Sequence, residues 1–281
     1  MAKKLILTVD DFGHSESFNQ AIKSAYLNGP VTDVSILAGG RCYDHAQTIA
    51  REHSIPVGVH VALVNEKPVS HPDSITTLLN NNGSLHQGYD TFAKKYFTNR
   101  IDASEIKTEI YNQISKIKNE GLRITHLNSH QHIHMLPGVR SILVDACRQF
   151  DIPAIRTSDE LLFRRPSLLQ LIPLIGLKTF AKLARRSFKA SDLLTNDYFS
   201  GVLHRTSLSE VELDQFLEYL PNGTTELGLH LDAVSKNRRE KFDSDWELKE
   251  IFKMVTSETF RRKIEQSDVE LTSWGQITKI V

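Results

Sequence analysis

"LILTVDDFGHS", residues 5–15, decides the fold. Leu5 to Val9 is apolar or β-branched without relief, which marks a strand buried on both faces. Two acids end it, Asp10 and Asp11, followed by Phe12 and Gly13. Ser15 or Ser17 can then cap a helix running to about Asn28, which Gly29-Pro30 terminates. A buried strand, a polar rim and a helix make one unit of an α/β fold, and the unit recurs along the chain.

"DVSILAGG" (33–40) reads as the second strand, and "YDHAQTIAREH" (43–53) as the second helix. "PVGVHVAL" (56–63) is the third strand, and residues 65–100 form a polar, irregular loop of the length that is functional or partly helical. Ile106, Ile110, Ile114 and Ile117 give helical spacing over 103–120. "ITHLNSH" (124–130) is strand four, a helix runs from Pro137 to Phe150, and "PAIRTS" (153–158) is strand five. Residues 167–190 read as a helix with a basic, solvated side, and "LLTNDYF" (193–199) as strand six. A helix over 209–219 leads to "TELGLHLD" (225–232), strand seven, and "VELTSW" (269–274) closes as strand eight. Strands alternating with helices imply a mostly parallel sheet, and a count near eight favours one distorted (β/α) barrel of about seven to eight strands spanning 1–281.

Composition excludes several classes. Lys+Arg 34 balances Asp+Glu 34, which gives no support for a nucleic-acid or membrane-surface partner. The two cysteines, Cys42 and Cys147, are too few for a disulfide framework or a cysteine metal knot. Two lysines and a strand at the start do not make a signal sequence, and no run of about 18 apolar residues suggests a membrane span. The expected location is the cytoplasm.

The two-residue period of a strand sorts the polar side chains. Gly58, His60 and Ala62 share one face against Val57, Val59 and Val61. His126, Asn128 and His130 align on the fourth strand, as do Gly228, His230 and Asp232 on the seventh. Asp10, Asp11, His60, His126, His130, Arg156 and His230 therefore fall at or near the carboxyl ends of separate strands, where such folds build their sites. Two adjacent acids repel and cost desolvation, so the convergence of carboxylate and imidazole points to a divalent cation. One aspartate and two histidines leave positions open for water and substrate, the catalytic type of site. His14, His45, His53, His71, His86 and His204 have no such setting and read as surface or structural.

"TVDDFG", "NGPVTDVSIL", "VGVHVALVNEKPV", "THLNSHQHIHMLP" and "PAIR", in that order, resemble the YdjC-like carbohydrate deacetylases, the family that includes bacterial chitooligosaccharide deacetylase. The resemblance implies a fold and chemistry related to the polysaccharide deacetylases. It implies Asp11, His60 and His130 as metal ligands, Asp10 as general base, His230 as general acid and Arg156 as the residue that orients the base. His126, His132 and His134 would support the ligands or line the substrate. It further implies magnesium, a small carbohydrate substrate and a homodimer, although the ligand chemistry alone suits zinc or another transition ion. The family often has a His-Pro pair where this chain reads "LGLHLD". A metal-dependent phosphoesterase and a non-catalytic sugar-binding protein are the alternatives.

Overall fold

A strand with parallel neighbours on both sides must be apolar on both faces. In the computed structural model, which describes residues 2–163, 166–203, 208–233 and 245–280, β1 (Lys3–Phe12) meets that demand, and Leu5 to Val9 are buried. It pairs in parallel with β2 (Asp33–Ile36) and β6 (Gly223–Leu229). β3 (Val57–Val61) and β4 (Ile124–Ser129) continue beyond β2, and β5 (Tyr198–Ser200) lies outside β6, in the order β4-β3-β2-β1-β6-β5. The circuit from β4 to β5 runs through single bridges, Leu127 to Ile155 and Glu160 to Phe199. Segment 154–160 is thus a further stave of a distorted (β/α) barrel.

That stave corrects the expected fifth strand. Pro153 has no N–H to give a ladder. Beyond it, Thr157 is partnered by the Asn196 side chain, which accepts from its N–H at 2.7 Å and donates to its C=O at 2.8 Å. A side-chain amide replaces the neighbouring strand. The expected sixth strand, 193–199, shrinks to Tyr198–Ser200 for the same reason, since Asn196 serves Thr157 rather than a ladder. At the far end only Val269–Leu271 is a strand, β7, paired with the first residues of β1. Ser273 then forms a capping box and turns the chain into helix.

The helices pack outside: α1 (Glu16–Asn28), α2 (Tyr43–Glu52), α3 (Gly88–Phe97, inside the irregular 65–100 loop) and α4 (Ala103–Asn119). α5 (Pro137–Phe150), α6 (Leu168–Lys189), α7 (Glu210–Tyr219), α8 (Asp245–Val255), α9 (Glu258–Glu265) and α10 (Trp274–Thr278) follow. Ser15, not Ser17, caps α1, accepting from the Phe18 N–H. Ile106, Ile110, Ile114 and Ile117 are all buried on α4. α6 keeps part of its expected basic, solvated side, with Lys182, Arg186 and Lys189 exposed. Lys178 and Arg185 turn inward to Asp159, at 2.8 and 3.3 Å, while Leu168 and Ile172 are 86% and 80% exposed. No helix among the described residues is long and apolar enough to cross a membrane.

Candidate metal centre

Regular alternation would send Asp10 and Asp11 to opposite faces of β1. The backbone prevents this. Asp11 takes a left-handed φ of 64°, and the β1–β2 register slips, so that Val9 to Phe12 opposes only Val34 to Ile36. This extra residue is a β-bulge, which re-aims a side chain. Gly13, at φ 107°, completes the turn, and a Cβ there would sit 3.1 Å from the Leu37 carbonyl. Both carboxylates end up buried at the same strand end, 3% and 6% exposed.

Asp11 faces imidazoles. Its Oδ1 lies 3.0 Å from His130 Nδ1 and 3.2 Å from His60 Nε2, and its Oδ2 lies 3.6 Å from His230 Nε2. Asp11, His60 and His130 each offer one donor atom within 4.8 Å of the others, forming a metal-type cluster. The tautomer of His60 tests the fit. Asn128 Nδ2 donates to Asp10 Oδ1 at 3.1 Å and to Ser35 Oγ at 2.8 Å. The amide oxygen of Asn128 therefore faces His60 Nδ1, at 2.6 Å, and the proton of the neutral ring sits on Nδ1. Among the described residues Nε2 has no hydrogen-bond partner, and it presents a lone pair toward a carboxylate. Such an arrangement demands positive charge between the two groups, supplied by a metal ion or by a proton. Burial opposes the imidazolium, but Asp10 and Asp11 hold the His60 pKa above its ordinary value, so proton and metal compete for one position. The residues fit a divalent ion.

Asp10 faces a guanidinium instead. Arg156 donates to both its oxygens, at 2.6 and 3.1 Å, and to both oxygens of Glu226, at 2.9 and 2.7 Å. Burial would raise the Asp10 carboxyl, yet Arg156 and His60 hold it well below the usual carboxylate range. Burial likewise works against an ionised Asp11, and His130 and His60 overcome it. Glu226 accepts further bonds from Thr8 Oγ1 at 2.6 Å and Trp274 Nε1 at 3.1 Å.

The other histidines separate by position. His126 is fully buried, stacked on Trp274 at 5.0 Å between ring centres and bonded to Ser35 and Thr125. His134 is fully buried against Ser129 Oγ at 2.6 Å. His132 is partly exposed, with its Nδ1 2.9 Å from Ser158 Oγ. Burial, then Arg156, lowers the pKa of His126 well below normal and that of His132 to about 3; for His134, burial and then His132 do the same. All three are neutral at pH 7, which suits supporting roles and not proton donation. Asp232 is buried two residues beyond His230. His14 pairs with Glu66 at 3.1 Å, His86 is buried and bonded to the Thr77 carbonyl, and His204 lies outside the described residues. Sequence reasoning gave no role to Asn128 or Glu226. The alternation Glu226, Gly228, His230 carried the signal for the second.

Fold and cluster together define a distorted (β/α) barrel with an Asp-His-His cluster of metal type at the carboxyl rim of its strands. A family model for YdjC-like proteins matches residues 4–266, and the chain belongs to that family. A carbohydrate deacetylase of Danio rerio is 32% identical over 158 residues, 56% of this chain and 50% of its own. A chitooligosaccharide deacetylase of Salmonella paratyphi B is 35% identical over 145 residues, 51% of this chain and 55% of its own. The chain thus spans about half the length of the curated relatives it matches. Across 99% of both chains the fold matches, at a TM-score of 0.79 and 20% identity, a crystal structure from Enterococcus faecalis V583 described as a candidate cellobiose-phosphate cleavage protein.

Proposed function

We propose that this chain is a metal-dependent hydrolase that removes acetyl groups from N-acetylated amino sugars, chitooligosaccharides among them, and releases acetate. The observation that carries the reading is the bare Nε2 of His60 aimed at the Asp11 carboxylate beside His130, next to an Asp10 held by arginine. Names of relatives from fish to bacteria agree with it. A divalent ion held by Asp11, His60 and His130 would lower the pKa of water and polarise the amide carbonyl.

The remaining work falls to the chain. Among the described residues Asp10 Oδ1 accepts from Arg156 and Asn128, and Oδ2 accepts from Arg156 alone, so Oδ2 keeps a lone pair for the proton of the attacking water. Arg156 fixes the orientation of that oxygen. His230, on the other side of Asp11, hands a proton to the departing amine as the C–N bond breaks. Two imidazoles and a carboxylate suit zinc, and the family resemblance suggests magnesium. A homodimer and a cytoplasmic location belong to the same reading.

Acetate release from di-N-acetylchitobiose tests it. Release should stop on chelation and return with zinc or magnesium. Release of phosphate from aryl phosphates with no acetate under any metal would replace it with the phosphoesterase reading, and sugar binding without turnover with the non-catalytic one.

A further inference from the structure

Beside the loop that carries His130 lies a cavity of about 460 Å³, within the size range of small-molecule pockets. Leu174, Leu177 and Phe180 of α6 form one wall, Met135 and Leu136 another, and Val202 a third. Gln131 and His132, the two residues after the ligand His130, also face it. Both hold left-handed backbone angles, with φ of 53° and 57°. Consecutive left-handed residues other than glycine are strained, and such strain gathers at ligand clamps. Here it lets one loop present His130 to Asp11 and the next two side chains to the cavity. One loop thus carries a residue of the metal-type cluster and two residues of the cavity lining.

One polar atom on each of three lining side chains is already engaged. Gln131 Oε1 accepts from the Tyr89 N–H at 2.6 Å, His132 Nδ1 meets Ser158 Oγ at 2.9 Å, and Gln170 Oε1 accepts from Ser167. Most of the lining is hydrocarbon, so a sugar ring placed there would set most of its hydroxyl groups against carbon, which is costly, whereas a hydrocarbon group matches it. The apolar character continues to the surface of the same helix, where Leu168, Ile172 and Ile175 are exposed.

Resting on the amide-hydrolase reading of the adjoining centre, we infer that the cavity holds a hydrocarbon substituent of the substrate, so that the preferred compounds are N-acylated amino sugars bearing an alkyl or aryl group. That group can be a longer acyl chain on the amide or an aglycone on the anomeric oxygen.

Two probe series separate the sources: alkyl β-glycosides of N-acetylglucosamine from methyl to hexyl, and N-acylglucosamines from acetyl to hexanoyl. Binding is measured by calorimetry on the metal-free protein and turnover on the metal-loaded protein. Each methylene that enters the cavity should improve affinity by about fourfold, in the glycoside series if the aglycone is the occupant and in the acyl series if the acyl chain is. Leu177→Trp, or Val202→Trp from another part of the lining, should bring the hexyl-to-methyl or hexanoyl-to-acetyl affinity ratio close to one. Flat affinity along both series in the wild-type protein would overturn the inference, even if acetate is released from the methyl glycoside. A steep series on the metal-free protein, with no acetate released under any metal, would support the cavity and overturn the deacetylase reading. A steep series untouched by both tryptophan variants would overturn the placement.

Discussion

Arg156→Met would strand two carboxylates in the barrel. The guanidinium is fully buried and makes four hydrogen bonds, two to Asp10 and two to Glu226. Without it Asp10 keeps the Asn128 hydrogen bond, with His60 Nδ1 3.7 Å away, while Glu226 keeps Thr8 and Trp274. Breaking a buried pair from one side costs about 3–5 kcal/mol. An independent bound comes from protonation. Unfolded carboxyls titrate near pH 4, so keeping one neutral in the fold at pH 7 costs about 4 kcal/mol, at roughly 1.4 kcal/mol per unit. The expected deficit at pH 7 is therefore about 4 kcal/mol if one carboxyl takes a proton and about 8 if both do. The sign follows from linkage. In the wild type the Asp10 pKa is depressed, so its stabilisation is present above the unfolded value and lost only as pH falls below it. In the variant the folded pKa lies above the unfolded one, so stability falls as pH rises from about 4. The gap between the two proteins should narrow by about 1.4 kcal/mol per unit and per stranded carboxyl from pH 7 to pH 5. Urea unfolding in chelator at pH 5, 6 and 7 measures it, and Glu226→Gln added to Arg156→Met should recover part of the loss. A gap below about 1 kcal/mol at pH 7, or one equal at pH 5 and pH 7, would refute the reasoning.

His60→Ala and His130→Ala should each sharply reduce bound metal while leaving the fold intact, and full occupancy by elemental analysis would remove that residue from the ligand set. Asp11→Asn should also weaken the metal without disturbing the bulge, because asparagine tolerates the left-handed φ of 64° found there. Asp10→Asn should keep the metal and lower turnover by about 10²–10⁴-fold, and identical behaviour of the two variants would undo the division of labour. His230→Ala should lower kcat with metal retained; unchanged kcat would send the search for the proton donor elsewhere. Gly58→Ala would bring a Cβ to 2.2 Å from the His126 ring, which Trp274 and two hydroxyls hold in place, and a loss of about 1–3 kcal/mol in urea unfolding is expected.

What was legible in the chain is what depends on near neighbours. The burial of Leu5 to Val9 follows from the run itself, and the placing of His60, His130 and His230 follows from a period of two. Even the bend was implied, because two adjacent acids cannot share a site on a regular strand, and the positive φ fell on Asp11 as well as on Gly13. What stayed hidden depends on distant partners. The 154–160 stave gave no strand because Thr157 is paired by a side chain 39 residues on. Glu226 was passed over because an acid inside a strand makes sense only once Arg156, 70 residues away, is beside it.

Those distant pairings also explain the two opening acids. Asp10 and Asp11 at the end of β1 and Glu226 inside β6 bring three negative charges together, and Arg156 answers with one positive charge through Asp10 and Glu226. With the imidazoles neutral, these four side chains keep a balance of two negative charges, which a divalent cation would complement. Arg156 cannot supply that balance to Asp11, since all four of its hydrogen bonds are committed to the other two acids. The bulge between Val9 and Phe12 is what permits the division. It turns one acid to the guanidinium, where it stays ionised and fixed, and its neighbour to the two imidazoles, where charge is still owed. A regular strand would leave one of these acids outside the barrel, and a single acid could not both bind the cation and accept the proton of a water beside it.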